Sequence, residues 1–126
     1  MTTLRDMLIS AADGQPIVAV VLGRVGVGNA GCAPGDPENK MHEFDNYEGE
    51  HIPGYKDCPF GKILSWHNAQ PWLNYDIERD PQAVIAWTAY RVIFIHEYDS
   101  MFGVRWVPTM PIECHPTYNG YRADND

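Results

Sequence analysis

The sequence predicts a single α+β domain over residues 1–126, with a small, mostly antiparallel sheet of about four strands and two short helices. Three observations lead to this prediction: a helix-spaced apolar segment near the start, short β-branched and aromatic runs later in the chain, and a long glycine- and proline-rich loop between them. A chain of this length can bury one core. Hydrophobic residues make up 44% and charged residues 21%, which is typical of a folded globular domain.

The first helix is predicted to begin after Thr3, whose hydroxyl can cap it. Four apolar residues then recur at helical spacing: Leu4, Met7, Leu8 and Ala11. Gly14 marks the end of this helix. Residues 17–22 follow as an apolar run that is typical of a central strand.

Residues 23–62 predict a long irregular loop, because they hold eight of the eleven glycines and no sustained period. Three of these glycines have the G-x-G-x-x-G spacing of a dinucleotide-binding loop: Gly26, Gly28 and Gly31. That motif requires a helix at its third glycine. Pro34 and Pro37 prevent such a helix, so the sequence does not predict a dinucleotide site here.

The second helix is predicted to begin after Ser65, and Pro71 should split it. Residues 84–88 and 91–98 are rich in β-branched and aromatic residues and predict a hairpin connected at Ala89 and Tyr90.

A turn over residues 99–103 and a third hairpin strand over residues 104–107 should follow. From about Pro108 onward the sequence predicts a proline-rich tail. Both faces of the middle strand, 91–98, are partly apolar, so we expect it to be covered on both sides.

The net charge of −8 opposes binding to nucleic acid or to an anionic membrane surface. Cys32, Cys58 and Cys114 are odd in number and lack a C-x-x-C pair, which favours a reducing compartment over a disulfide framework. The opening residues MTTLRDML do not resemble a secretory signal, and no apolar run is long enough to span a bilayer. We therefore expect a cytoplasmic protein.

The sequence contains no familiar catalytic motif: it lacks G-x-S-x-G, H-E-x-x-H and a Walker lysine. The segment from His96 to Asp99 is polar, but strand alternation separates its side chains. Five residues have the chemistry of zinc ligands, at spacings that match no known zinc motif: His42, His51, Cys58, Cys114 and His115. We expect neither catalysis nor a metal or other cofactor.

Aromatic and arginine residues around the predicted hairpin indicate a ligand site. Aromatic rings stack on nucleobases, and guanidinium groups bind phosphates. Six residues form this predicted site: Arg24, Trp87, Arg91, Tyr98, Arg105 and Trp106. The alternative for each aromatic residue is a place in the core.

Four blocks of the sequence resemble a family of small phage-encoded proteins: "PIVAVVLG", "ILSWHNAQPWLNYDI", "AVIAWTAYRVIFIHEYDS" and "VRWVPTMP". The pattern is similar to that of the Thoeris anti-defence "sponge" proteins. The resemblance implies that the chain sequesters a cyclic ADP-ribose-type or cyclic oligonucleotide signal without cleaving it, in the cytoplasm of an infected bacterium and as a homo-oligomer. The chain has Ser100 and Thr109 where this pattern has glycine and arginine.

Two alternatives remain open at the level of sequence. Residues 36–57 carry seven acidic residues against two lysines, which would suit an acidic inhibitor docking on a bacterial defence complex. A metal-dependent hydrolase using His42, His51 and Cys58 is the other.

Overall fold

A computed structural model of the protein describes residues 2–25, 52–78, 82–98, 101–118 and 120–122, with Glu97 and Tyr98 described by their backbone alone. Its helices and strands follow in the order α1 (Leu4–Ala12), β1 (Ala19–Val25), β2 (Ile63–Leu64), α2 (Trp66–Ala69), β3 (Gln82–Trp87), β4 (Arg91–Tyr98), β5 (Met101–Pro108), β6 (His115–Thr117) and β7 (Gly120–Arg122). None of the described helices is long and apolar enough to cross a membrane.

The main sheet has the strand order β2-β1-β3-β4-β5, and all four pairings are antiparallel. A separate two-stranded sheet pairs β6 with β7. The predicted α+β class, with a mostly antiparallel sheet and two short helices, is confirmed. The main sheet has five strands instead of about four, because the two-residue strand β2 adds an edge that no periodic pattern marks.

Both helices begin where the sequence predicts. The Thr3 hydroxyl accepts a hydrogen bond from the Asp6 backbone N–H, and the Ser65 hydroxyl accepts one from Asn68. Helix α1 ends at Ala12, and the residue that follows it, Asp13, has a left-handed φ of 52°, one position before the predicted stop at Gly14. Pro71 divides the second helix into α2 and a turn of 3₁₀ helix, since its ring prevents continuation of the α-helical hydrogen bonds.

The β3–β4 hairpin turns through Thr88, Ala89 and Tyr90, close to the predicted connection. The Thr88 hydroxyl accepts hydrogen bonds from the backbone N–H groups of Tyr90 and Arg91, as threonine hydroxyls do in turns.

The predicted turn over residues 99–103 is too long, because strand β5 already begins at Met101. Gly103 lies inside this strand, opposite His96. A Cβ atom at this position would meet no other atom within 4 Å, so close packing does not require the glycine.

The two segments predicted to be irregular contain some regular structure. Strand β1 continues to Val25, and a short 3₁₀ helix, Tyr55–Asp57, lies against the sheet through its buried Tyr55. Residues 26–51 of the predicted loop lie outside the described residues. After Pro108 the chain forms the β6–β7 hairpin, and Tyr121 packs edge-on against Trp106 with 5.6 Å between ring centroids.

The five-stranded sheet has a covered face and an open face. On the covered face, α1 and the residues around α2 pack over the strands, and Val20, Ala86 and Ile93 are fully buried. We call the opposite side, on which no described helix packs, the open face. It carries the residues that alternate with those of the core: Ala19, Val21, Gly23, Ile63, Ala83, Ile85, Trp87, Val92, Phe94, His96, Met101, Gly103, Arg105 and Val107.

Candidate functional site

A β-bulge near the end of β1 sets the geometry of the candidate site. Leu22 pairs with Val84 and Val25 with Gln82, so two residues of β1 lie opposite one residue of β3. The two residues are Gly23 and Arg24, and Ala83 is the one that faces them. Such bulges redirect side chains and are frequent beside binding sites.

The close approach of the two strands favours glycine at position 23. A Cβ atom at Gly23 would lie 3.0 Å from the Cβ of Ala83 and 3.2 Å from its carbonyl oxygen. Contacts this short would require the neighbouring strand to move by a few tenths of an ångström. The glycine therefore allows the bulge that positions Arg24.

A groove of about 320 Å³ opens on the open face beside the bulge. Its lining is mostly apolar and consists of Val21, Leu22, Gly23, Arg24, Phe60, Gly61, Ala83, Val84 and Ile85. The Arg24 guanidinium carbon lies 4.4 Å from the centroid of the Phe60 ring, within cation–π distance. The groove thus combines an apolar floor with one cation held at its wall.

Buried polar side chains hold the bulge from beneath. The Gln82 amide donates a hydrogen bond of 2.7 Å to the Gly23 carbonyl, and the Tyr75 hydroxyl donates one of 2.9 Å to the Gln82 side-chain oxygen. The Val25 backbone N–H donates to the Tyr55 hydroxyl at 3.1 Å. Gln82 is fully buried, so loss of either hydrogen bond would leave a buried polar atom unpaired, at a cost of about 1–3 kcal/mol.

Cys58 lies in the same buried region. Burial raises the pKa of the Cys58 thiol from its ordinary 9.0 to about 11, although a hydrogen bond with Gln82 and the charge of Arg24 both act to lower it. At neutral pH the group is therefore a protonated thiol, which is a poor nucleophile and a poor metal ligand.

The sheet divides the six predicted site residues between its two faces. Trp106 pairs with Ile93 and lies on the covered face, where the Arg91 guanidinium stacks on its ring at 3.8 Å. Arg91 also donates a 2.7 Å hydrogen bond to the Ala11 carbonyl at the end of α1 and lies 3.5 Å from the Asp13 carboxylate. This pair therefore fastens α1 to the sheet.

Trp87 and Arg105 lie on the open face, and so by alternation does Tyr98, of which only the backbone is described. Arg24 is separated from Arg105 by three strand spacings, about 14 Å in total. The structure therefore places Arg24 alone of the six residues at the groove.

His96 is a second polar side chain on the open face. It pairs with Gly103 on β5 and lies two residues along β4 from Phe94, which pairs with the groove residue Ile85. Its Nε2 atom is buried and has no hydrogen-bond partner among the described residues. An unpaired buried nitrogen is costly, so this atom is a candidate for contact with a bound molecule.

The metal-site candidates are only partly described. His42 and His51 lie outside the described residues, and Cys58 is buried beneath the bulge. In the portion of the chain that the structure describes, no three histidine, cysteine or carboxylate side chains come together in a way that would hold a metal ion.

Sequence reasoning missed Gly23, Phe60 and Gln82 as parts of the site. A glycine at the end of an apolar strand is a recognised sign of a bulge, so Gly23 was detectable. Phe60 and Arg24 lie on either side of residues 26–51 in the sequence, and no sequence spacing specifies their contact.

No known protein family, curated protein or solved structure matches the chain. Fold and site together define it as an α+β protein with an arginine-bearing groove on one face of its sheet.

Proposed function

We propose that the protein binds a small, nucleotide-derived signalling molecule in the groove at the β1 bulge and sequesters it without cleaving it. The observation that carries the proposal is the Arg24 guanidinium, held over the Phe60 ring at the wall of an apolar groove. A guanidinium group binds anions such as phosphate, and an aromatic ring stacks on flat rings such as nucleobases. The pair therefore suits a ligand that has both groups.

The groove suits one nucleotide-sized unit. Its volume of about 320 Å³ lies near the lower end of the range for small-molecule sites. A phosphate would pair with Arg24, while the base would lie along the apolar floor formed by Val21, Ala83 and Ile85.

Binding without conversion is supported by the chemistry of the neighbouring groups. A guanidinium group donates hydrogen bonds and has no acceptor atom, so Arg24 is suited to binding an anion and not to acting as a general base. The nearby Cys58 thiol, with its raised pKa, is poorly suited to attack a phosphate or glycosidic bond. A protein that removes a signal in this way would act as an anti-defence sponge in an infected bacterium, as the sequence resemblance implies.

Calorimetric titration with cyclic ADP-ribose isomers, cyclic dinucleotides and AMP tests the proposal. We expect at least one ligand to bind and to be recovered unchanged by chromatography after heat release. The substitution Arg24→Ala should weaken binding about 10- to 100-fold, because a charged hydrogen bond is worth about 1.5–3 kcal/mol.

The matched control is Arg105→Ala, which removes the same charge from the same face at the far edge and should leave affinity within about twofold. Absence of binding for every ligand, or recovery of a cleaved product, would contradict the proposal. Equal losses for the two arginine variants would show that the groove is not the site.

A further inference from the structure

We propose that Tyr55 and Phe60 are positioning residues, which hold the Arg24 guanidinium in its place at the groove before a ligand binds. Their role rests on the proposed function, in which Arg24 pairs with a phosphate. The Arg24 guanidinium carbon lies 4.4 Å from the centroid of the Phe60 ring. The Phe60 ring in turn packs in a T-shaped arrangement with the Tyr55 ring, with 5.1 Å between their centroids and 67° between their planes. We call these two rings the aromatic support of Arg24.

The far end of the aromatic support is tied back to the strand that carries Arg24. The Tyr55 hydroxyl accepts a hydrogen bond of 3.1 Å from the backbone N–H of Val25, the residue after Arg24. Tyr55 is buried, so this hydrogen bond is shielded from competing water. Contacts therefore lead from the backbone of β1 through both rings and back to the Arg24 side chain. A closed set of contacts of this kind fixes the end of a long, flexible side chain relative to its own backbone.

Backbone hydrogen bonds also hold Phe60 beside β1. The Gly61 N–H donates a hydrogen bond of 2.9 Å to the Leu22 carbonyl, and the Phe60 N–H donates one of 2.9 Å to the Cys58 carbonyl. The Cys58 N–H donates to the Tyr55 carbonyl at 3.1 Å, so one short hydrogen-bonded segment carries both rings. The aromatic support therefore has a fixed backbone, against which the guanidinium can rest.

The aromatic support should strengthen ligand binding, because a side chain that is already ordered loses little conformational entropy when it meets its ligand. Arginine is among the side chains that lose the most rotamer freedom when they are fixed. Ordering one such side chain in advance corresponds to about 3- to 10-fold in affinity. Arg24 covers one face of the Phe60 ring, so Phe60 acts on the ligand through Arg24, and the base is left to the apolar floor of the groove.

A double-mutant cycle, measured by calorimetric titration with AMP, cyclic ADP-ribose and cyclic di-AMP, tests this role. Phe60→Leu should weaken binding about 3- to 10-fold when Arg24 is present, and by less than about twofold when it is combined with Arg24→Ala. The loss depends on Arg24 because the ring acts by ordering the guanidinium. Tyr55→Phe keeps the ring and removes only the hydroxyl, so it should give a smaller loss, of about 2- to 3-fold, with the same dependence on Arg24.

The matched control is Phe102→Leu, which makes the same substitution on β5, outside the groove lining, and should leave affinity within about twofold. NMR of the Arg24 Nε–H group in the ligand-free protein supplies a second measurement. Its order parameter should fall in Phe60→Leu and stay unchanged in Phe102→Leu. A purely structural role for Phe60 would lower stability and leave this order parameter as it is.

The outcomes separate the positioning role from the proposed function. If Phe60→Leu leaves affinity unchanged, weakens it equally with and without Arg24, or leaves the Arg24 order parameter unchanged, the positioning role alone is overturned. If none of the three ligands binds, both the positioning role and the proposed function are overturned. Amide spectra check folding, and Tyr55→Phe with and without Arg24→Ala decides the outcome if Phe60→Leu does not fold.

Discussion

The two faces of the sheet are built from the same strands, yet their apolar side chains have different surroundings. Along β3, Gln82, Val84 and Ala86 are buried beneath α1 and its neighbours, while Ile85, between them, is 41% exposed. On the covered face apolar side chains meet other elements of the fold. On the open face they line a groove. Apolar residues in a strand therefore mark a face that is suited to packing. Whether that face belongs to the core depends on whether other elements of the fold pack over it.

Three arginines also differ in their surroundings between the covered face and the open face. Arg91 is engaged on the covered side with the Ala11 carbonyl, the Asp13 carboxylate and the Trp106 ring. Arg105 is exposed at the edge of the open face. Arg24 lies between these extremes, stacked on Phe60 beside a groove. Residue type alone does not distinguish a structural arginine from a ligand-binding one.

Among the substitutions that distinguish the covered face from the open face, Leu8→Ala should have the largest effect on the free energy of unfolding. Leu8 is fully buried where α1 covers the sheet, so its truncation leaves a cavity and should lower the free energy of unfolding by about 2–5 kcal/mol. Urea denaturation at low micromolar concentration measures this value.

The control is Ile63→Ala on the open face, which should change the free energy of unfolding by at most about 0.5 kcal/mol. A cost for Ile63→Ala equal to that for Leu8→Ala would mean that the open face is also part of the monomer's core.

Arg91→Ala should lower the free energy of unfolding by about 1–3 kcal/mol, because it removes a charged hydrogen bond to Ala11 and the stacking on Trp106. Thermal denaturation of this variant beside Arg105→Ala measures the difference. If both variants had the same stability, the attachment of α1 by Arg91 would contribute nothing.

Gly23→Ala should cost about 1 kcal/mol or slightly more, since its methyl group would press on Ala83 at 3.0 Å. It should also weaken ligand binding by moving Arg24. Gly103→Ala is the control on the same face, because a Cβ there meets no atom within 4 Å. Calorimetry measures the ligand affinity of the two variants, and urea denaturation measures their stability. Equal affinity and equal stability for Gly23→Ala and Gly103→Ala would show that the bulge does not position Arg24.

Alkylation of Cys58 by iodoacetamide should be slow in the folded protein. With the pKa of its thiol raised to about 11, the reactive thiolate is about 100-fold scarcer at pH 8 than for an ordinary cysteine. Mass spectrometry of labelled peptides gives the rate, with the half-buried Cys114 as an internal comparison and urea-unfolded protein as the reference.

The same pKa shift predicts an alkaline loss of stability. The folded state favours the neutral thiol, so this contribution is complete below pH 9 and is lost as the pH rises through about 11. Cys58→Ala should reduce the slope of stability against pH in this window. Rapid labelling of folded Cys58 at pH 8 would contradict its burial beneath the bulge.

Much of the fold could be predicted because local chemistry specifies it. Thr3 and Ser65 cap helices through their own hydroxyls, Pro71 interrupts a helix by its ring, and the runs around β3 and β4 have strand composition. These signals act within a few residues. Strand β2 has only two residues and depends on pairing with β1, so no local pattern marks it.

The candidate site was less predictable because it depends on register. Trp87 and Trp106 look equivalent in the sequence, but a β5 strand that begins at Met101 puts them on opposite faces. Moving a strand by one residue exchanges its faces, and the turn chemistry at 99–103 did not fix that register. The contact between Arg24 and Phe60 depends on a bulge and on a distant segment. The glycine at position 23 is a sequence sign of the bulge, but nothing in the sequence specifies the contact with Phe60.

The position of β1 between β2 and β3 has a consequence for the order of assembly. The β3–β4–β5 meander closes only short loops, so its hairpins can form quickly. Strand β1 precedes both of its neighbours and pairs Val20 with Ala86, across more than half of the chain. Such a closure carries a larger entropic cost and is slower. We expect the β1 bulge to be among the last features to form during synthesis on the ribosome, after the strands that flank it have emerged.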